Sequence, residues 1–442
     1  MKVDMAKGSW IDIPTVPSVP SKPLEATIFV AASNARPEVK ALADLVASGS
    51  DDDLIIEQAI NMLPLAGGTV KLSEGEFILG SSIDISRSNV VLEGCGFSTV
   101  LKAPSDGDCI RITNTNSVKI SNLKIDGTAQ VGGGGIFIQN SNRVIVTNCL
   151  IYNTFGAGIK ASYTTFSLFE GNIIDSIRSD GISVEHLGNS SIIRNVIHNS
   201  QGSGIYLSYS AQCLISGNSI NNSVYIGIYL ISSSDCGIEG NSINGCDNDG
   251  IHCESNCSNC LITGNQMNSL GVNGIYCDTC SSFTITGNQI HIADNAGIYL
   301  IALDHSTITG NQIRDVGLDG IAIFYSNYCL ASGNQTFNSA QIGIAIGSSS
   351  FCSITGNEIH ITGYDGISVY NSSDCTITGN VCMDVSSGYC SIYNNGSNNI
   401  ISSNRGDMKI RNEGDYCIII GNRVPVIENI GTGVVIVDNL TD

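Results

Sequence analysis

The amino-acid sequence predicts an all-β fold, a single-stranded parallel β-helix whose turns of about 23 residues stack along one axis. Three observations lead to this prediction. The dipeptide Gly-Asn recurs from Gly171 to Gly379 in steps of 23 or 24 residues, with Arg194 in place of glycine at the one gap. The dipeptide Gly-Ile keeps the same period from Gly158 to Gly366. The long interior that contains both series has no proline, which suits continuous hydrogen-bonded strands.

Each repeat has the form G-I-x-h-x, a polar turn, x-I-x-G-N-x-I and a second turn, where h is an apolar residue. In the segment GIYLS at 204–208, apolar and other residues alternate, which is the pattern of a strand rather than a helix. A unit of this size cannot bury its own apolar side, so it must stack on its neighbours. About a dozen turns paired at ~4.8 Å would form a rod of roughly 60 Å.

Stacking places equivalent residues in columns, and the asparagines of the Gly-Asn series are predicted to form an asparagine ladder. An asparagine amide can hydrogen-bond to the same amide one turn away, and asparagine tolerates the left-handed conformation of a tight turn. The predicted members are Asn172, Asn195, Asn218, Asn241, Asn265, Asn288, Asn311, Asn334, Asn357 and Asn380.

The chain has 17 cysteines, and four of them form two C-x-x-C pairs, a spacing that is typical of zinc sites. These four are Cys257, Cys260, Cys277 and Cys280. They fall into three different columns of the repeat, and Phe283 replaces cysteine in one of these columns, as is typical of a buried apolar position. Stacked free thiols are therefore favoured, with a zinc site or disulfides between turns as the alternatives. No cofactor is predicted, and calcium is compatible with the sequence but is not indicated by it.

The N-terminal region is predicted to close one end of the rod. The predicted units are an extended arm at 1–23, a strand with capping helices at 24–66, and the β-helix at 67–442. The segment 37–49 reads as a helix, and a second, amphipathic helix begins at Asp52 or Asp53, either of which can cap it. Such a helix would cover strand edges and core at the open end of a solenoid.

Composition and charge limit the partners. With 20 Lys and Arg against 40 Asp and Glu, the formal charge is −20, and no basic run suggests nucleic acid or an anionic membrane. No apolar stretch approaches the ~20 residues that a membrane-spanning helix needs. The first residues, MKVDMAKGSWIDIP, lack the apolar core of a signal peptide, so nothing in them directs export. A glycan, in the extracellular space or on a virion, remains the partner that the composition allows.

The run from Asp51 to Lys102, with AGGTVKLSEGEFIL and NVVLEGCGFSTVL, resembles the opening of the pectate-lyase-like right-handed parallel β-helix superfamily. The closing IGTGVVIVDNL is similar to the end of β-helix proteins of phages and prophages. The superfamily includes polysaccharide lyases, polygalacturonases, mannuronan epimerases and phage tailspike proteins, so the resemblance implies a right-handed helix and carbohydrate ligands. It implies no particular activity, since RSDGIS and DNDGIH match only part of the polygalacturonase motif and the epimerase D-P-H motif is absent.

The outward positions of the Gly-Ile strands carry the candidate site. Planar rings on five consecutive turns could contact sugar rings, and carboxylates on neighbouring turns could supply the ~5–10 Å separation that glycoside hydrolysis needs. A lyase or epimerase would instead need a base and an acid such as histidine or tyrosine. The candidate catalytic residues are Glu254, Asp278, His252 and Tyr276. The candidate substrate-binding residues are Tyr206, Tyr229, Tyr299, Glu185, His186 and Lys160.

Structural explanations compete with this hypothesis. Asp180, Asp249, Asp319 and Asp365 precede the Gly-Ile glycines, where aspartate is a common turn residue. Tyrosine also packs well on exposed strands, and T-x-T rows such as Thr284 and Thr286 give a minor ice-binding alternative. The outward residues Ile231, Ile301 and Phe324 suggest that part of the face is covered by another subunit.

The sequence as a whole therefore predicts a carbohydrate-binding β-helix protein that degrades or modifies a polysaccharide or cell-surface glycan as a lyase or glycoside hydrolase. It would be extracellular or virion-associated, as a component similar to a phage tailspike, and could assemble as a homo-oligomer such as a trimer. The alternative is a structural or adhesive β-helix protein, without catalysis, that oligomerises through its outward apolar face.

Overall fold

The structure is a computed structural model that describes residues 26–440, so the predicted arm at 1–23 lies outside the described residues. Three parallel β-sheets run the length of a right-handed solenoid, and each turn of the chain contributes one strand to each sheet. We call them sheets A, B and C, in the order in which one turn visits them. Sheet B has 15 strands and sheet C has 16, so the β-helix prediction is confirmed and the rod is longer than the expected dozen turns.

The strands of sheet A are Thr27–Ala31, Leu45–Val46, Gly68–Leu72, Val90–Glu93, Lys119–Ser121, Ile145–Thr147, Leu168–Glu170, Ser191–Ile193, Leu214–Ser216, Gly237–Glu239, Leu261–Thr263, Thr284–Thr286, Thr307–Thr309, Leu330–Ser332, Ser353–Thr355, Thr376–Thr378, Ile400–Ser402, Ile418–Ile420 and Val435–Val437. Those of sheet B are Gly75–Ile78, Thr99–Lys102, Lys124–Asp126, Leu150–Tyr152, Ile173–Asp175, Val196–His198, Ser219–Asn221, Ser242–Cys246, Gln266–Leu270, Gln289–Ala293, Gln312–Val316, Gln335–Ser339, Glu358–Thr362, Val381–Val385 and Arg405–Gly406. Those of sheet C are Ile83–Ile85, Ile110–Thr113, Ile136–Gln139, Ile159–Thr165, Ile182–Gly188, Ile205–Ser208, Ile228–Ile231, Ile251–Glu254, Ile275–Asp278, Ile298–Ile301, Ile321–Phe324, Ile344–Gly347, Ile367–Tyr370, Cys390–Asn394, Lys409–Asn412 and Ile427–Asn429.

The core is a set of apolar columns along the rod axis. In sheet C, Ile205, Ile228 and Ile251 lie one above the other in register, and each is fully buried. Residues between two inward positions point out, because successive strand side chains alternate between the two faces. β-Branched isoleucine suits such a column, since its stiff side chain packs well on a pleated surface. Sequence period, register and burial therefore all describe the same columns.

The predicted asparagine ladder is confirmed, and it lies at the sharp corner between sheets A and B. Asn288 shows its complete hydrogen bonding: its Nδ2 donates to the Ile262 carbonyl and to Asn311 Oδ1, each at 2.9 Å. Its Oδ1 accepts from the backbone N–H and the Nδ2 of Asn265, at 3.0 and 2.9 Å. The left-handed conformation belongs to the preceding residue, such as Gly287 with φ 62°, and not to the asparagine as predicted.

The ladder continues past the predicted members to Asn404, Asn422 and Asn439. The last two steps span 18 and 17 residues, so the final turns are shorter than the others. The amide contacts are kept while the loops between them shrink. The corner between sheets A and B is therefore the most constant part of each turn.

Two helices cover the first turn. The helix α1 (Pro37–Leu42) ends earlier than the segment 37–49 suggested, because Leu45–Val46 pairs with the first strand instead. The helix α2 (Asp52–Met62) lies across the end of the rod. Among the described residues, no helix is long and apolar enough to span a membrane.

The carboxylates at the start of α2 bind backbone N–H groups outside the helix. Asp52 accepts from Ser48 and Ile78, and Asp53 accepts from Gly80, at 2.8 to 2.9 Å. At the other end of α2, the Arg87 guanidinium donates to the Ile60, Leu63 and Pro64 carbonyls. These bonds satisfy polar groups that the end of a solenoid would otherwise leave exposed.

Sheet B changes shape along the rod. Up to Ser219–Asn221 its later strands have three residues, whereas from Ser242–Cys246 to Val381–Val385 they have five. The fourth residue of each five-residue strand has a positive φ, as in Ile292 at 60° and Ile361 at 55°. Since the left-handed conformation is costly for a β-branched side chain, the stacked neighbours must hold these residues in place.

The ladder gives a stability prediction. Asn288→Ala removes one amide and leaves buried donors and acceptors on two neighbouring turns without partners, so we expect the free energy of unfolding to fall by about 3 kcal/mol or more. Gln201→Ala, at an exposed turn position, should change it by less than about 0.5 kcal/mol. Chemical denaturation followed by circular dichroism measures both, and equal stability of the two variants would contradict the prediction.

Candidate functional site

The outward face of sheet C carries a continuous column of rings. Tyr206, Tyr229, His252, Tyr276 and Tyr299 occupy equivalent positions on five turns, in the predicted register. Neighbouring ring centroids are 4.6 to 5.7 Å apart. The Tyr276 and Tyr299 rings are stacked with an interplanar angle of 7°, so they face each other along the rod axis. A ligand lying on this face would meet ring edges and hydroxyl groups as well as ring faces.

His252 is fixed in the middle of the column by a buried carboxylate. Asp249 Oδ2 lies 2.7 Å from His252 Nδ1. Asp249 Oδ1 accepts from the backbone N–H and the Nδ2 of Asn273, at 2.8 and 2.9 Å. The Asp249 side chain is only 5% exposed and that of His252 is 16% exposed, so solvent does not compete strongly for the pair. The ring is therefore held in one orientation, with Nε2 directed away from Asp249.

Glu254 lies beside this imidazole. Glu254 Oε2 is 3.6 Å from His252 Nε2, and Tyr229 donates its hydroxyl proton to Glu254 Oε1. His252 Nε2 is buried and has no hydrogen-bond partner among the described residues. The pKa of the Tyr229 hydroxyl is raised well above its ordinary value, first by burial and then by the Glu254 carboxylate. A carboxylate is thus held between a phenol and an imidazole, in a partly buried position where electrostatic interactions are strengthened.

The turn that carries this cluster has one more residue than its neighbours. The step from Ser233 to Cys257 spans 24 residues, whereas the step from Ser210 to Ser233 spans 23. The extra residue follows Glu254, where Ser255 and Asn256 both have positive φ, at 60° and 67°. Irregularities of this kind are frequent beside functional sites, because they redirect a side chain. The only 24-residue step in the Gly-Ile series therefore coincides with the cluster.

Asp278 supplies a second carboxylate on the next turn. It is the register partner of Glu254 in the adjacent strand, so their backbones are one strand spacing apart, ~4.8 Å. Asp278 Oδ1 accepts from the Thr279 hydroxyl at 2.8 Å. Within residues 26–440, no hydrogen bond joins Asp278 to His252, Tyr276 or Glu254. Burial raises the pKa of the Tyr276 hydroxyl to about 12, with nearby carboxylates as further causes.

The other predicted binding residues lie farther along the rod. Glu185 is on the same outward column as Glu254, but three turns away, and Lys160 is exposed one turn beyond it. His186 has a left-handed backbone conformation, with φ 51°, within the strand Ile182–Gly188, and its ring stacks between Tyr163 and Tyr209 at centroid distances of 4.5 and 5.3 Å. The structure thus brings together Tyr229, His252 and Glu254. Glu185, His186 and Lys160 lie outside this cluster.

The aspartates before the Gly-Ile glycines share one structural contact. Asp180, Asp249, Asp319 and Asp365 each accept a backbone N–H from the next turn, at 2.8 to 3.0 Å. Burial raises the pKa of Asp180, Asp319 and Asp365. From its position in the sequence, Asp249 is expected only as a turn residue, and its contact with His252 was not predicted. The signal was the spacing D-x-x-H in DGIH, which places both side chains on the same outward edge.

Packing within the chain accounts for one of the outward apolar residues. The Phe324 ring lies 5.7 Å from the Tyr299 ring and across Gly347 on the next turn, where an added Cβ would lie 2.5 Å from the Phe324 Cδ1 atom. Glycine at this position therefore makes room for the ring. Ile231 and Ile301 remain half-buried beside the column.

The cysteines of the two C-x-x-C pairs are free and buried. Cys253 and Cys277 are register partners in sheet C, and Cys260 belongs to the column of Cys213 and Cys236. The thiols donate to backbone carbonyls, as Cys260 does to Ser258 at 3.5 Å. In the part of the chain that the structure describes, no group of three or more His, Cys, Asp or Glu side chains is arranged to hold a metal ion.

Comparisons with known proteins agree with this architecture. Residues 85–273 match the sequence model of a family described as periplasmic copper-binding protein (NosD), and residues 273–429 match the model of the right handed beta helix region. Together the two matches span residues 85–429. These matches and the three parallel sheets show the right-handed parallel β-helix fold that the sequence resemblance predicted. No curated protein sequence matches the chain.

Solved structures of this β-helix fold are similar at low sequence identity. The pre-mature gene product 12 of bacteriophage phi29 is 12% identical with a TM-score of 0.65, over 89% of this chain and 71% of that one. DFA-IIIase from Arthrobacter chlorophenolicus A6, in complex with DFA-III, is 13% identical with a TM-score of 0.50, over 79% of this chain and 93% of that one. The A-module of the Azotobacter vinelandii mannuronan C-5 epimerase AlgE4 is 16% identical with a TM-score of 0.42, over 90% and 98%. The first two likenesses, at TM-scores of 0.65 and 0.50, show the fold.

Copper binding does not carry over to this β-helix from the NosD match. The matched region contains nine cysteines, but eight of them are buried in columns whose thiols face other thiols or backbone carbonyls. Its histidines His186, His198 and His252 lie on separate turns, and His252 is engaged by Asp249. These residues do not form a copper-binding ligand set, so the match is informative for the fold.

The Asp column gives a pH prediction. The pKa of Asp319 is raised above its ordinary 3.8 in the folded chain, because burial disfavours the ionised carboxylate. The protonated carboxyl therefore contributes stability below the ordinary pKa, and this contribution is lost as the pH rises through the folded pKa. Asp319→Asn keeps an oxygen for the Ile342 N–H but cannot ionise. We expect it to be more stable than the parent at neutral pH, with the difference disappearing below the ordinary pKa. Thermal unfolding against pH measures this.

The control for this prediction is Asp294→Asn, which removes an exposed carboxylate and changes the net charge equally. It should leave the pH profile of stability close to that of the parent. If Asp319→Asn were more stable than the parent by the same amount under acidic conditions, ionisation of Asp319 would not be the cause of the difference.

The contact between Tyr229 and Glu254 gives a second prediction. In Glu254→Gln, the Tyr229 hydroxyl loses a carboxylate partner but stays equally buried, so its pKa should fall toward the ordinary value without reaching it. Carbon-13 NMR of labelled tyrosine, titrated to alkaline pH, follows the ring directly. Tyr393, which donates to Glu413 on a distant turn, should titrate as in the parent. An unchanged Tyr229 titration would contradict the contact.

Proposed function

We propose that this β-helix protein binds a neutral polysaccharide or cell-surface glycan along sheet C and cleaves it as a retaining glycoside hydrolase. The observation that supports this most directly is the position of Glu254, which is held between the Tyr229 hydroxyl and the His252 imidazole. Asp278, the register partner of Glu254 on the next turn, carries a second carboxylate, and the two backbones are one strand spacing apart, ~4.8 Å. Retaining glycosidases need two carboxyl groups separated by about 5–5.5 Å.

The charge of the cluster supports a neutral substrate. Asp249, Glu254 and Asp278 lie on two neighbouring turns of a chain with a net charge of −20. Among the described residues, the outward positions of sheet C from Ser183 to Tyr370 carry no lysine or arginine. A lyase that acts on a uronate needs positive charge beside the substrate carboxylate as well as a base and an acid. Hydrolysis of a neutral glycan is therefore favoured over the lyase reaction.

The proposed reaction has two balanced steps. Glu254 attacks the anomeric carbon as the glycosidic C–O bond breaks, and protonated Asp278 donates its proton to the leaving oxygen. Water then attacks the same carbon, gives a proton to Asp278, and releases Glu254. Tyr229 and His252 orient the Glu254 carboxylate, and Asp249 acts through His252 as a positioning residue. Tyr206, Tyr276 and Tyr299 would contact sugars on neighbouring turns.

A non-enzymatic spike or adhesin is the second candidate. It is favoured by a separate stack of exposed aromatic rings outside the sheet C ring column. His305, Tyr328 and Phe351 form a stack with interplanar angles of 6°, and Tyr328 and Phe351 are 54% and 52% exposed. Exposed rings of this kind are typical of contact surfaces. In this candidate the protein is extracellular or virion-associated and assembles as a homo-oligomer such as a trimer, with glycan binding but no cleavage.

The test of hydrolysis is the release of reducing ends from a panel of neutral polysaccharides, with the anomeric configuration of the first product read by NMR. We expect retention of configuration, and a loss of about a hundredfold or more in kcat/KM for Glu254→Gln and for Asp278→Asn. Asp180→Asn is the matched control, because Asp180 has the same backbone contact as Asp249 but no histidine partner. It should retain the parent activity.

Other results would decide against the proposal. Unsaturated products would indicate a lyase, and full activity in Glu254→Gln would place the chemistry elsewhere. Glycan binding without any cleavage would favour the spike or adhesin, and sedimentation analysis would then establish its oligomeric state.

A further inference from the structure

Sheet B carries an elongated groove, on a different face of the rod from the sheet C cluster. It begins at the turn of Ser242–Cys246 and continues to the turn of Glu358–Thr362, and these turns have the five-residue strands described above. Two hollows of about 400 and 260 Å3 follow each other along it.

One side of the groove is a column of exposed amides. Gln266, Gln289, Gln312 and Gln335 follow the ladder asparagines directly, as the repeated G-N-Q in the sequence shows, and Glu358 continues the column. The side-chain amides of the first three have no hydrogen-bond partner among the described residues. They are free to offer donors and acceptors to a ligand at each turn.

The neighbouring column on the same face contains amides, imidazoles, one guanidinium and one phenyl ring. Asn244 and Asn268 are followed on successive turns by His291, Arg314, Phe337 and His360. Phe337 is 41% exposed, and the Arg314 guanidinium lies 5.7 Å from its ring centroid. An exposed ring of this kind can pack against the apolar face of a sugar.

The charges in the groove are largely paired within the protein. His291 Nε2 is 3.1 Å from Asp315 Oδ2, and His360 Nε2 is 3.1 Å from Glu358 Oε1. The Arg314 guanidinium, which lines one hollow, has no carboxylate within 4.0 Å among the described residues. The groove therefore lacks the excess of positive charge that a polyanion would need, in a chain with net charge −20.

We propose that the sheet B groove is a binding site for a linear neutral polysaccharide that lies parallel to the rod axis. The glutamine amides of the first column repeat at ~4.8 Å, which is close to the length of one hexose unit, so successive sugars can make equivalent contacts to this column on successive turns. A peptide is disfavoured, because the backbone groups of the interior strands are already paired in the sheet and strand addition needs a free edge. The site is independent of the proposed hydrolytic cluster.

The test uses the full chain on an array of immobilised glycans that includes neutral and anionic polysaccharides, followed by calorimetric titration with the glycan that binds. We expect a neutral linear glycan to bind, and Phe337→Ala and the double variant Gln289→Ala/Gln312→Ala each to weaken binding by about tenfold or more. These side chains are exposed, so thermal unfolding should match the parent. Gln201→Ala, an exposed glutamine in a turn, is the matched control.

Variants of the two faces separate this proposal from the hydrolase proposal. Glu254→Gln should abolish cleavage and leave the affinity of the sheet B groove within about twofold of the parent. Binding that is lost in Glu254→Gln but kept in Phe337→Ala would overturn the sheet B site while leaving the sheet C proposal standing. Binding of anionic glycans alone, or of no glycan, would also overturn it.

Discussion

The constraint on which the whole molecule depends is vertical registry between turns. An interior ladder asparagine joins the turns on both sides of it. Asn288 accepts two hydrogen bonds from Asn265 and donates to the Ile262 carbonyl on that same preceding turn, and it donates to Asn311 on the following turn. These amides are buried, so a turn that slipped by one residue would leave several polar groups without partners. The same slip would turn the apolar columns outward. Registry therefore fixes both the core and the order of the side chains on each face.

Registry also explains how the outer faces of sheets B and C can form sites. Side chains that are 23 or 24 residues apart in sequence lie one strand spacing apart in space, so a few neighbouring turns can assemble rings and carboxylates in a row. The cluster of Tyr229, His252 and Glu254 arises in this way, and the Gln column of sheet B arises in the same way on another face. One repeated backbone thus presents two different surfaces, because each column is free to change its residue type independently.

The sequence was sufficient to predict the period, the inward isoleucines, the ladder and the ring column, because each of them follows from registry alone. It was not sufficient for features that depend on contacts within a turn. The pairing of Leu45–Val46 with the first strand overrides the helical pattern of 37–49. Ile292 and Ile361 in sheet B adopt a left-handed conformation that is unfavourable for a β-branched residue. The second oxygen of Asp249 reaches His252, which the column position alone does not reveal.

The cap formed by α2 and Arg87 has a mechanical consequence. The contacts that build the rod join residues about one turn apart, from the Arg87 bonds to Ile60 and Leu63 through the ladder steps of 17 to 24 residues. Such a chain can wind onto its helical cap one turn at a time as it leaves the ribosome, with each finished turn as the template for the next. A force applied to the last strand would, by the same logic, peel single turns from that end and leave the capped end intact.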